Sequence, residues 1–139
     1  MDLQRVSMMS LLVDDVPAAV DFYARALGWE PAKRFGDDLA FYRFNGFVMA
    51  LWDRAGWAAE GLGFDAPPYG GFAINTTTRE EADAAVARWE AAGGEVAKAP
   101  VEVFWGGYSG YVRDPWGNYI EIAVNDGFTI TEDGRTVIE

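Results

Sequence analysis

The sequence predicts an α+β fold built from two copies of one plan, each a strand, a helix and three further strands. Three observations predict it: an internal repeat, two helices with their own start and stop signals, and strand-length apolar runs after each helix. Ala18-Ala19-Val20, Tyr23 and Ala26 match Ala84-Ala85-Val86, Trp89 and Ala92 at an offset of 66 residues. Gly28, Glu30, Ala32 and Lys33 match Gly93, Glu95, Ala97 and Lys98 at an offset of 65.

In chain order, the apolar run 6–13 has the length of a strand and ends at Asp14-Asp15. Asp15 stands where a helix cap is needed, and Pro17 falls in the first turn, where its missing N–H costs nothing. The helix is expected over 18–27, with Val20, Tyr23, Ala24 and Leu27 on one face and Gly28 just past its end. Strands are expected at 29–35, 39–44 and 47–52, divided by Gly36-Asp37-Asp38 and by Asn45-Gly46, a two-residue hairpin signal. Residues 54–69 have Gly, Ala and Pro-Pro without a clean period and read as a connector.

The plan restarts with a strand at 71–76. Thr78-Arg79-Glu80-Glu81 is a capping box, in which Thr78 and Glu81 are expected to satisfy each other's backbone donors. Ala82, Ala85, Val86 and Trp89 form the buried stripe of a second helix, ended by Gly93-Gly94. Strands at 95–104, 108–113 and 119–124 follow, and 128–131 with 135–138 reads as a hairpin around Asp133-Gly134. A single domain over 1–139 is expected, with a first module at about 5–53, a connector at about 54–69, a second module at about 70–125 and a tail at about 126–139.

Composition removes whole classes of chemistry. The 139 residues include no cysteine and no histidine, which excludes disulfides, thiol catalysis, imidazole general bases and Cys- or His-ligated metals. Any metal site must use oxygen ligands. Eleven basic against 22 acidic residues give a net charge of −11, a field that repels phosphate backbones and anionic membranes. Its plainest use is solubility; a sharper one is attraction of a cationic small molecule. No run approaches the ~20 apolar residues of a membrane span, and Met1-Asp2-Leu3-Gln4-Arg5 lacks the pattern of a signal peptide. A cytoplasmic protein without nucleic-acid or membrane partners is expected.

The chain resembles the vicinal oxygen chelate superfamily, the glyoxalase / bleomycin resistance / dioxygenase group. The likeness rests on Leu12-Val13-Asp14-Asp15 through Phe22-Tyr23-Ala24-Arg25-Ala26-Leu27-Gly28, on Phe104-Trp105-Gly106-Gly107-Tyr108-Ser109-Gly110-Tyr111, and on Asp114-Pro115-Trp116-Gly117-Asn118-Tyr119-Ile120-Glu121. It covers about residues 6–125. The resemblance implies two βαβββ modules whose curled mixed sheets enclose a cleft, commonly in a homodimer. In metal-dependent relatives four cleft positions hold the ion, and here they fall on Met8, Ala50, Gly71 and Glu121. A thioether, a methyl and a hydrogen replace three of the four ligands, so the resemblance implies no metal and no other cofactor.

Several residues then have two readings. Glu121 is either a cleft carboxylate left to act as acceptor, counter-ion or general base, or a strand carboxylate satisfied by a neighbour. Trp29, Trp52, Trp105, Tyr108 and Tyr119 either line the cleft or pack the sheets. Phe104-Trp105-Gly106-Gly107-Tyr108 is a tight turn or a binding loop, without phosphate-loop spacing. Asp114-Pro115-Trp116-Gly117 is a turn, and Arg43 and Arg113 are solvent-facing or paired with Glu121 or an anionic ligand group. The resemblance favours a metal-independent binding protein that sequesters an aromatic or cationic natural product, as resistance-type relatives do. The expected ligand contacts are Trp52, Trp105, Tyr108, Glu121, Met8, Tyr119 and Trp29. The alternative is a glyoxalase- or dioxygenase-like lyase or isomerase using Glu121 with a non-standard metal or none.

Overall fold

Repetition in the sequence becomes repetition in topology. The computed structural model describes residues 4, 8–59, 72–103 and 106–138. Two units share the chain, Met1–Ala24 with Gly28–Asp65, and Arg25–Leu27 with Ala66–Glu139. Strand β1 (Met8–Val13) runs parallel to β4 (Val48–Asp53), which pairs antiparallel with β3 (Leu39–Arg43), and β3 with β2 (Lys33–Phe35). In the second unit β5 (Phe72–Asn75) is parallel to β8 (Tyr119–Val124), followed outward by antiparallel β7 (Tyr108–Arg113) and β6 (Glu95–Glu102). The orders β1-β4-β3-β2 and β5-β8-β7-β6 are the same plan used twice. A two-stranded hairpin of β9 (Phe128–Ile130) and β10 (Thr136–Ile138) follows, turning at Gly134 with φ 81°.

Helix α1 (Val16–Leu27) begins and ends where its signals stand. Asp15 is extended and its Oδ1 accepts the Ala18 N–H at 3.0 Å; Gly28 takes φ 73° and donates to the Ala24 carbonyl at 3.0 Å. The face it buries differs from the expected one. Val16, Ala19, Phe22, Tyr23 and Ala26 are buried, whereas Ala24 is exposed and Val20 and Leu27 are half-buried. Alanines at 18, 19, 24 and 26 give the helix several stripes of similar apolarity, and the large Phe22 ring decides among them by going inward. On the first sheet Leu11, Val13, Ala40, Tyr42, Met49 and Leu51 are buried as well.

Helix α3 (Arg79–Ala91) buries Ala82, Val86 and Trp89 as its period predicts, with Ala85 at the margin. The indole N–H of Trp89 donates to the Arg113 carbonyl at 3.0 Å and ties helix to sheet. Gly94 is fixed by this ring, since a Cβ there would lie 2.1 Å from the indole nitrogen. The capping box forms in altered detail. Thr78 Oγ1 accepts the Glu81 N–H at 3.2 Å, but its own hydroxyl proton goes to the Glu81 carboxylate at 3.2 Å.

Three other expectations need correction. The strand expected at 29–35 shrinks to Lys33–Phe35, because Pro31 has no ladder donor and Trp29 turns aside to stack on Tyr23, centroids 4.8 Å apart. The connector contains helix α2 (Arg54–Ala59), anchored by Arg54 to Asp14 at 2.9 Å. The strand expected at 95–104 ends at Glu102 and is bulged between Val96 and Val101. There the Lys98 and Pro100 backbones come so near Gly110 that a Cβ would sit 2.7 Å from them. Residues 6–7, 71 and 104, the remaining ends of expected strands, lie outside the described residues.

Candidate ligand site around Glu121

Alternation along β8 sorts its side chains between two faces. Ile120 and Ile122 are buried on one face, while Tyr119 and Glu121 stand on the other. The register places Tyr111 of β7 and Ala73 of β5 directly across from Glu121. Together with Phe72 these residues line a pocket of about 210 Å³. Tyr111 and Tyr119 are 41% and 40% exposed, so their rings form open walls, while the Glu121 side chain is half-buried between them.

Glu121 is engaged from β7 by the buried Ser109, whose hydroxyl donates to Oε2 at 2.6 Å, while the Tyr111 ring stands opposite it in register. The negative charge of Glu121 raises the Tyr111 pKa, with burial adding to it, so the phenol keeps its proton. Beyond Tyr119, the Arg113 guanidinium lies 5.3 Å from the ring centroid and 3.9 Å from the Glu95 carboxylate. Arg113 thus reaches toward Glu95 and Tyr119 and makes no ion pair with Glu121.

The expected contacts separate. Glu121 and Tyr119 share the pocket. Tyr108 points to the helical side, its hydroxyl donating to Asp83 of α3 at 2.6 Å with Arg79 5.1 Å from its ring. Trp29 stacks on Tyr23 and meets Phe44 edge-on at 4.7 Å; it lines a different hollow, of about 310 Å³, with Gly28, Glu30, Tyr42, Arg43, Phe44 and Asn45. Trp52 is half-buried on β4, registered between Leu12 and Leu39, and stands on the face that carries Ala50 and Met8. Met8 is 43% exposed and Ala50 fully buried. Trp105 and Gly71 lie outside the described residues.

Two contributors were missed from sequence, Ser109 and Tyr111. A signal for Tyr111 was present. Counting outward from the Asp114–Asn118 turn, Arg113 faces Tyr119, Val112 faces Ile120 and Tyr111 faces Glu121. That turn is built as expected: the buried Asp114 carboxylate accepts the Trp116 and Asn118 N–H groups at 2.9 and 2.8 Å, with Gly117 at φ 93°.

A divalent ion does not fit this donor set. Exposed Met8, the Ala50 methyl and a glycine at 71 offer no side-chain oxygen, and one lone-pair position of Glu121 accepts the Ser109 hydroxyl proton. Among the described residues no three His, Cys, Asp or Glu side chains converge on one point.

Two βαβββ units with the same strand order define a class of paired-module α+β proteins. The chain belongs to the Glyoxalase/Bleomycin resistance protein/Dioxygenase superfamily, whose model matches residues 5–122. It is similar to an uncharacterized Mycobacterium bovis protein, 32% identical over 115 residues that cover 78% of this chain and 76% of that one. A crystal structure of a glyoxalase-related enzyme from Fulvimarina pelagi matches with a TM-score of 0.90 and 32% identity, covering 98% of this chain and 99% of that chain. The lactoylglutathione lyase from Agrobacterium tumefaciens matches with a TM-score of 0.70 and 26% identity, over 89% of this chain and 96% of that chain.

Proposed function

We propose that the chain is a metal-independent small-molecule binding protein of the sequestering kind. The observation that carries this reading is the state of Glu121. The one carboxylate among the four metal-matched positions is held by Ser109 and opens into a pocket walled by Phe72, Tyr111 and Tyr119. Rings, a methyl and one oriented acceptor bind by burial and a few directed hydrogen bonds, which is how apolar small-molecule sites obtain both affinity and orientation.

The test has two parts. Protein expressed with supplemented zinc, iron, nickel and manganese is expected to retain no stoichiometric metal after dialysis; one tightly held ion per chain overturns the reading. In a natural-product panel, a ligand that saturates at one per pocket is expected to be recovered chemically unchanged, as mass spectrometry would read. Conversion at any catalytic rate supports the second reading, a lyase or isomerase with Glu121 as base, which the names of the Fulvimarina and Agrobacterium relatives favour.

A further inference from the structure

We propose that the Glu121 pocket accepts the protonated primary or secondary amine of its ligand, with Glu121 as N–H acceptor and the surrounding rings as walls. This rests on the binding reading above and narrows it from any small molecule to one that presents an ammonium group.

The Glu121 carboxylate offers about four lone-pair positions, and the Ser109 hydroxyl takes one of them. Among the described residues no lysine or arginine lies within ion-pair distance of Glu121, and the cation on the same face, Arg113, reaches Glu95 and the Tyr119 ring instead. A ligand that fills the pocket therefore covers a half-buried charge that still needs donors. A neutral apolar body strands that charge and loses its remaining hydration, and an anion adds repulsion. An ammonium group supplies both charge and N–H donors.

The walls point to the same ligand. Phe72, Tyr111 and Tyr119 are rings, and ring faces attract cations through their quadrupole. Tyr119 already does so toward Arg113, whose guanidinium stands 5.3 Å from its centroid. Tyr111, kept protonated by the neighbouring charge, adds no competing anion. A volume of about 210 Å³ suits one head group; pockets that hold whole drug-sized ligands measure roughly 300–1,000 Å³. The net charge of −11 draws cations to the surface.

The experiment titrates the full chain with benzylamine, benzyl alcohol, benzoate and benzyltrimethylammonium, following backbone amide shifts at Tyr119–Val124 and Tyr108–Arg113 by NMR. Benzylamine is expected to bind at least about ten-fold more tightly than benzyl alcohol, with no shift from benzoate. E121Q is expected to abolish that preference, with benzylamine falling to the level of benzyl alcohol measured on the same variant. Y111F keeps the charge and the ring wall, so it is expected to retain the preference, and the amide spectrum of E121Q reads whether that variant is folded. Equal binding of benzylamine and benzyl alcohol at these amides overturns the ammonium assignment and leaves a neutral binding site standing. Benzyltrimethylammonium binding as tightly as benzylamine overturns the N–H acceptor role. Absence of any shift with all four probes overturns the site itself, whereas a retained metal or a converted ligand would overturn the wider reading independently.

Discussion

Tyr42 carries a phenol into the core of the first unit, where it is 1% exposed and its hydroxyl has no hydrogen-bond partner among the described residues. Burial pushes its pKa up to about 12, against a smaller opposing pull from the Arg34 charge. An unfolded tyrosine releases its proton near ~10, so between that pH and about 12 the unfolded state binds fewer protons than the folded one. Stability from this group is complete below the unfolded value and falls as pH rises toward the folded one, by at most roughly 3 kcal/mol. Y42F removes both the titration and the orphan hydroxyl. It is expected to be neutral or stabilising by up to about 1 kcal/mol at pH 7, and to flatten the alkaline loss seen in urea unfolding at pH 11. Equal losses in wild type and Y42F would refute this account. Nothing in the sequence around Tyr42 separates it from Tyr23 or Tyr111; only burial without a partner does.

At the scale of elements, the β7–β8 hairpin shows how local chemistry sets a site at a distance. Asp114 is 3% exposed, and its carboxylate receives two backbone N–H groups together with the Asn118 side-chain amide at 2.7 Å. Those three bonds hold the turn, and the turn sets the register that puts Tyr111 opposite Glu121. D114A is expected to cost about 2–4 kcal/mol, since it strands buried donors that had a charged acceptor. Chemical denaturation measures the loss, and a change under about 1 kcal/mol would show that the loop does not depend on this carboxylate. The turn was legible because Asp-Pro-x-Gly is local. Ser109 and Tyr111 were less so, because pairing across strands enters only after register is counted. The α1 face was misjudged for a related reason: alanine-rich stripes at helical spacing are nearly equivalent until a sheet packs on one of them. Helix α2 is tied by Arg54 to Asp14, forty residues away, and no short-range pattern records that contact.

For the whole molecule, the repeated plan was legible because each helix carries its own cap and stop, and because one half restates the other. Of the residues that line the Glu121 pocket, the sequence named Glu121 and Tyr119, while Phe72, Ala73 and Tyr111 come together only through strand pairing. The assembly is a further expectation. Each four-stranded sheet ends in two edge strands, β1 and β2 in one unit and β5 and β6 in the other. Such edges offer unpaired backbone groups, and here β2 and β6 also expose Phe35 and Val101. A twofold homodimer is the commonest closed arrangement that covers surfaces of this kind, and a stable one buries roughly 1,200–2,000 Å² in total. Sedimentation at micromolar concentration is expected to give twice the mass of the chain, and lysine at Phe35 or Val101 to shift it toward the monomer by placing charge where an edge would be covered. A monomer persisting to about 100 μM, tighter than which a stable interface of this area normally associates, would leave these edges solvated and confine the ligand site to one copy of the chain.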